Sequence, residues 1–333
     1  MVDKNKFYLE KINNIVFLGY SSLFDEFIKF NLELNINSKI ITSTDQSKFI
    51  KNEFIVFDSL GEEFIKYVKD NFNIKNTLFI SFGSRNIFKK NIIKELKNNL
   101  INFHCTRLPL DKGGGGFSWS ILREDRIDNQ LVHLIDKGID TGPIIYYKHS
   151  LFPKECKIPL DFELSSKINL VKFYQEFIIK IKEGKKFELI PQIDYIGRYN
   201  PRLNTNLNGY IDWNFTPHDL YNFINAFDDP YDGAISYLNR GNFGKLRIKK
   251  VHLHGGDSSN HPYMSGIVTR HDNDWIVVAT GGKYMLLVEQ VLDKNKNNII
   301  KKIREGDRFF NNYDDLLKSK SEKIIYNSKG LKK

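Results

Sequence analysis

Apolar and polar positions in the first 104 residues repeat in a single rhythm. Short apolar runs, NIVFLG (14–19), SKIIT (38–42), EFIVFD (53–58), TLFISFG (77–83) and the LINFH that ends at His104, alternate with amphipathic stretches. These are SLFDEFIKFNLEL (22–34), GEEFIKYVKDNF and KKNIIKEL. Runs this short, separated by 3.6-period segments, predict a parallel sheet with helices on both faces. Two further strands follow, NQLVHLI and the one entered by GIDTGPIIYY, and residues 160–182 form a long amphipathic helix. From about residue 245 the pattern changes to short strands broken by HDND, TGGK and DKNKNN, the spacing of an antiparallel barrel or sandwich. The expected fold is therefore α/β, a Rossmann-like, mostly parallel sheet followed by a smaller β-rich domain. Residues 1–200 form the first domain, 201–244 a connecting segment and 245–333 the second.

Composition narrows the class. The chain has 333 residues, 41% of them hydrophobic and 27% charged, as in a soluble globular protein. It has no apolar run near the ~18 residues of a membrane span, and its polar N-terminus is unlike a signal peptide; the expected location is the cytoplasm. Two cysteines, Cys105 and Cys156, are too few for a disulfide framework or a structural zinc site. The net charge of +10 is concentrated at the end, where residues 294–333 hold 12 Lys+Arg against 5 Asp+Glu, a local +7. Aromatic interleaving is thin there, so the tail is read as a solvated end and no nucleic-acid partner is expected. His252, His254, Asp257 and His261 are read as ordinary strand and loop residues, and no metal is expected.

The chemistry concentrates in residues 102–142. Residues two apart on a strand face the same way, so Asn102 and His104 project together while Phe103 faces away. A carboxamide and an imidazole there supply a donor for a developing oxyanion and a base effective near neutral pH. Alone, an NxH is only a polar strand end. Here it is followed by Gly113, Gly114, Gly115 and Gly116, a loop free of β-carbons that lets backbone approach a ligand. It is followed in turn by Asp140, bracketed by Gly138 and Gly142. Asp140 is either a turn residue capping its own loop or a carboxylate that orients the histidine. The first strand ends in GYSS rather than GxGxxG, which excludes the usual dinucleotide site.

Asn102, His104, the Leu108-Pro109 pair, the glycine run and Asp140 within DTG together resemble the formyltransferase family that uses 10-formyltetrahydrofolate. A second stretch, GYIDWNFTPHDLYNFINAFDDPYDGA, resembles the family's I-D-W, helix and P-Y-x-G-A segment, with Thr216 placed to cap the helix 217–227. The close IREGDRFF resembles its OB-like C-terminal module, so the resemblance covers about residues 14–310. One departure is Asn225, where relatives commonly carry the arginine of an R-A pair.

The resemblance implies the roles. Asn102, His104 and Asp140 would be catalytic, with His104 taking a proton from the attacking amine and Asn102 donating to the oxyanion. Phe82, Gly83, Ser84, Arg85, Asn86 and Ile87 would hold the folate, with Ile139 on the opposite wall. Arg107, Gly115, Gly116, Arg202, Asn204, Phe227 and Tyr231 would meet the acceptor, although Phe227 also belongs to the apolar face of its helix. TRLPLDKGGGG and PRLNTNLNGYIDW look more like enzymes acting on nucleotide-linked amino sugars than like the tRNA enzyme. The expected acceptor is dTDP-4-amino-4,6-dideoxyglucose, used in surface polysaccharide such as O-antigen, with UDP- and GDP-linked sugars behind it. A homodimer is implied. A methionyl-tRNA formyltransferase and a non-catalytic folate- or nucleotide-binding protein are the alternatives.

Overall fold

A computed structural model of the chain describes residues 5–114, 116–193, 197–327 and 330–331. Strands β1 (Asn14–Gly19), β2 (Asn37–Thr42), β3 (Phe54–Val56), β4 (Thr77–Phe82) and β5 (Leu100–His104) run parallel. Helices α1 (Phe24–Glu33), α2 (Glu62–Asn71) and α3 (Lys90–Leu96) connect them. Every residue of β4 is buried, as a central strand covered on both faces requires. The chain then makes a three-residue strand, β6 (Asp111–Gly113), and a short helix, α4 (Gly116–Leu122). Strands β7 (Ile127–Leu134) and β8 (Ile144–Leu151) complete the sheet antiparallel, in the order β3-β2-β1-β4-β5-β7-β8. The expected mostly parallel α/β sheet is present, with an antiparallel edge.

The long helix α5 (Pro159–Lys182) fixes the back of this sheet. Its buried residues Phe162, Ser166, Leu170, Phe173, Tyr174, Phe177, Ile178 and Ile181 recur every three or four positions, which forms one apolar stripe. Phe103, the residue between Asn102 and His104, stacks on Phe82 at 5.0 Å and meets Phe173 and Phe177 edge-on at 5.8 and 5.6 Å. Burying a ring of this kind is worth about 1.5–3 kcal/mol. The alternation of β5 thereby turns core packing on one side into a fixed presentation of Asn102 and His104 on the other.

Strand β9 (Arg198–Asn200) pairs in parallel with β6 and holds the glycine loop against the body. Helix α6 (Pro217–Ala226) opens as its sequence prescribes: Thr216 Oγ1 accepts from the Asp219 N–H at 3.2 Å, with Pro217 in the first turn. The second sheet contains β10 (Ala234–Leu238), β11 (Leu246–Gly255), β12 (Val268–His271), β13 (Ile276–Val278), β14 (Tyr284–Leu292) and β15 (Phe309–Phe310). Their order is β12-β13-β14-β11-β10-β15. The two edges meet: Phe309 N–H donates to Gly266 O and Val268 N–H to Asp307 O, both at 2.8 Å. That closure curls the sheet into the expected OB-like barrel. Its core also takes Ile121, Phe152 and Phe162 from the first half of the chain, so the two sheets share buried surface.

The lysine-rich tail keeps Lys318, Lys320 and Lys323 exposed, but it is anchored to the body. Residues Tyr313–Ser321 form helix α7, the Asn208 carboxamide donates to Ser319 O at 2.9 Å, and Ile324 is buried and bridges Arg202. Among the described residues no helix is long and apolar enough to cross a membrane.

Candidate active site

The site forms where the end of β5 meets the loop between β7 and β8. His104 Nε2 lies 3.3 Å from Asp140 Oδ2, out of line for a hydrogen bond, and the buried nitrogen has no other partner. Asp140 stands in the left-handed region at φ 55°, and its Oδ2 also accepts from the Gly113 N–H at 3.3 Å. The loop that carries Asp140 is tied by Gln192, whose amide donates to Asp140 O at 3.0 Å and Gly142 O at 2.7 Å. Two of the glycines are sterically necessary. A β-carbon on Gly142 would fall 1.8 Å from Leu134 O, and one on Gly113, at φ +95°, would fall 2.2 Å from Asn200 O. Both glycines thus let the two loops close on the carboxylate.

A buried histidine that sequence reasoning missed, His133, completes the group. It pairs with Asn102 across β5 and β7. Its Nδ1 lies 2.7 Å from Leu134 O, which can only accept, so Nδ1 carries the proton and Nε2 keeps its lone pair. Nε2 is 3.1 Å from Asn102 Nδ2; the carboxamide must therefore point its NH2 this way, with one N–H spent on His133 and the other free. The only trace of this in the sequence is a histidine inside the apolar run NQLVHLI.

Charge states follow from the surroundings. Burial alone would raise the Asp140 carboxyl, but the imidazoles of His104 and His133 and the Gly113 N–H outweigh it and hold it at about 2. Asp140 is an anion across the neutral range. Burial, reinforced by His104, depresses His133 from its usual 6.5 to about 4, so it is neutral where Asp140 is charged. In the unfolded chain His133 takes a proton below about 6.5, which the folded protein refuses until about 4. Stability is accordingly expected to fall as pH drops through that window. Chemical unfolding of wild type and His133→Gln across it checks this; the variant should lose part of the slope.

The other expected site residues divide. The Phe82 ring is buried in the core, which leaves its backbone to the loop. Ser84 Oγ accepts from the Asn86 N–H at 3.2 Å, Arg85 pairs with Asp45 at 3.1 Å, and Asn86 donates to Phe57 O at 3.1 Å. These side chains brace the loop, while Gly83, Ile87 and Ile139 are exposed around the strand ends. On the acceptor side, Arg107 lies 3.2 Å from Asp125 with its Nε buried and unpaired. Gly116 opens α4, Arg202 packs its stem against Gly114, and Gly115 lies outside the described residues.

One expectation is corrected here. Phe227 is 2% exposed, inside the second core against Phe223, and cannot stack a base; the apolar face of α6 claims it. Asn204 is a helix cap, accepting from the Asn206 N–H at 3.0 Å. Tyr231 is 41% exposed.

Sequence reasoning also missed a polar hub beneath the glycine loop. The buried Asp111 accepts from Arg198 Nε at 2.7 Å and lies 3.3 Å from Arg123. Arg123 also donates to Asn200 Oδ1 at 3.3 Å. Next to this hub, a cleft of about 340 Å3 is lined by Arg126, Lys154, Lys157, Tyr221 and Phe162. The Arg126 guanidinium is turned on the backbone carbonyls of Phe152, Pro153 and Cys156 rather than on a carboxylate. Among the described residues no three His, Cys, Asp or Glu side chains come together as a metal would require; His252 instead sits 3.7 Å from Glu289.

Comparisons with known proteins point the same way. Residues 205–307 match the family model described as formyl transferase, C-terminal domain. The methionyl-tRNA formyltransferase of Thermodesulfovibrio yellowstonii is 26% identical over 231 residues, 69% of each chain. The bifunctional polymyxin resistance protein ArnA of Wigglesworthia glossinidia brevipalpis is 25% identical over 211 residues, 62% of this chain but only 31% of that protein. The fold is similar to that of WlaRD, a sugar 3N-formyl transferase solved with dTDP and 5-N-formyl-THF. The TM-score is 0.61 at 18% identity, over 86% of this chain and 100% of that one. An N-formyltransferase from Helicobacter canadensis, solved with folinic acid and dTDP-3-aminofucose, gives 0.61 at 16% identity, over 84% and 99%.

Proposed function

We propose that the chain is a formyltransferase, as the match of residues 205–307 to that family's C-terminal domain supports, and that it transfers a formyl group from 10-formyltetrahydrofolate to the amino group of a nucleotide-linked amino-deoxy sugar. The observation that carries this reading is the convergence of Asn102, His104 and Asp140 at the end of β5. Each retains a function that its neighbours leave unused: a free N–H, an unpartnered imidazole nitrogen and a permanent negative charge.

The residues present fit a folate. Gly83 and the backbone beside it offer amide groups to a flat heterocycle, and the exposed Ile87 and Ile139 offer apolar contact. When bound, the donor supplies a formyl carbon on nitrogen, an amide of weak activation. The chain does the rest. His104 takes the proton from the attacking amine, and Asp140 stabilises the imidazolium so formed. The free N–H of Asn102 is placed for negative charge developing on the formyl oxygen.

A phosphate-bearing acceptor is supported by the cleft with Arg126, Lys154 and Lys157, since guanidinium and ammonium groups suit phosphate oxygens. We favour dTDP-4-amino-4,6-dideoxyglucose, a precursor of surface polysaccharide. The tRNA formyltransferase relative keeps initiator tRNA as the second reading.

The test is a formyl-transfer assay with 10-formyltetrahydrofolate and a panel of dTDP-, UDP- and GDP-linked amino sugars beside charged initiator tRNA, read by mass. Gain of one formyl group on a nucleotide sugar is the expected result. Gain on tRNA alone would replace this reading with the second one.

A further inference from the structure

Beside the candidate donor loop lies a ledge that the chemistry above does not use. The Tyr20 N–H donates to Phe82 O at 2.9 Å, the Gln46 amide to Gly83 O at 3.0 Å, and Arg85 pairs with Asp45 at 3.1 Å. Asn86 adds its bond to Phe57 O. The segment around residues 43–49 and the loop 83–88 are thus laced into one surface continuous with the end of β4.

That surface is apolar and cationic together. Phe49 is 56% exposed, 5.5 Å from the Tyr20 ring, with the Lys48 ammonium 5.0 Å above it, and Ile87 is 76% exposed. Isolated exposed apolar residues need no explanation, but grouped ones beside a site mark binding surface. Lys48 and Lys51 flank Phe49, and Lys89 and Lys90 follow Ile87. Among the described residues none of these four lysines has an ion-pair partner. The nearby acids are committed elsewhere: Asp45 to Arg85 and Ser43, Asp58 to Thr44, and Glu53 to Lys39 at 3.7 Å.

We infer that this ledge binds the oligo-γ-glutamate tail of the folate donor, making the enzyme prefer long-tailed donors. The inference rests on the donor assignment above and deepens it. A benzoyl ring followed by a string of carboxylates calls for both kinds of group the ledge supplies, apolar side chains and ammonium groups beside them. Each added glutamate brings one more anion to lysines that have no competing partner. Such contacts are exposed, so they strengthen binding modestly and weaken with salt.

The experiment is direct binding of monoglutamyl and pentaglutamyl 5-formyltetrahydrofolate, by calorimetry, at low and high salt. Wild type is expected to bind the pentaglutamate about 5–20-fold more tightly, a gain of the size that two or three exposed ion pairs provide. The double variant Lys48→Gln/Lys51→Gln is expected to bring the two ligands to within about twofold, as high salt also should, and to lower monoglutamate affinity much less than pentaglutamate affinity. Equal affinities in wild type, or a preference that survives the lysine changes, would overturn the inference alone. Failure to bind either folate would overturn the donor assignment along with it.

Discussion

Replacing His104 by alanine is expected to lower kcat/KM for formyl transfer by about 10²–10⁴-fold, the range for one general acid–base group, with only a modest drop in thermal unfolding. The two halves of this prediction come from opposite faces of one strand. Most of the stability lies with Phe103, stacked on Phe82 and edge-on to Phe173 and Phe177, whereas His104 on the other face contributes its contact with Asp140. Its deletion leaves His133 and the Gly113 N–H as the remaining partners of that carboxylate. Asp140→Asn keeps the shape of the loop and the contact with the Gly113 N–H region but removes the charge that the two imidazoles and the Gly113 N–H hold ionised against burial. It should lower kcat in the same direction while folate binding persists. Near-wild-type turnover in His104→Ala would mean that the proton leaves by another route.

The sheet was legible because its signals are local. Apolar runs such as NIVFLG and TLFISF can only be buried strands, and Thr216 with Asp219 announces a helix start from four residues of text. The candidate pair Asn102 and His104 was legible for a similar reason, since side-chain alternation puts them on one face without knowledge of anything distant. What stayed hidden depends on contacts between remote segments. His133 reads as one more residue of an apolar strand until β7 is placed against β5. Asp111, Arg123, Arg198 and Asn200 become one hub only when β9 pairs with β6. Phe227 was misread as a ligand contact because an aromatic ring looks alike in sequence whether it packs or binds, and burial decides which.

Asn102→Ala is expected to lower kcat by about 10²–10³-fold, the loss seen when one preorganised oxyanion donor is removed. The preorganisation is visible in the chain of bonds behind it. Leu134 O accepts from His133 Nδ1 at 2.7 Å, which fixes the tautomer; His133 Nε2, thereby left as an acceptor 3.1 Å from Asn102 Nδ2, fixes the carboxamide. His133 can play this part only while neutral, which its depressed pKa of about 4 ensures. The remaining N–H of Asn102 is then aimed without any reorganisation during the reaction. A donor that acts only as charge develops stabilises the transition state more than the bound substrates, so kcat and kcat/KM should fall together while KM for both substrates holds. A rise in KM at constant kcat would instead make Asn102 an anchor for the bound substrates. His133→Phe separates the two cases further. It keeps the bulk of the ring but withdraws the acceptor, and should cost part of the Asn102 effect in wild type and nothing more in the Asn102→Ala background.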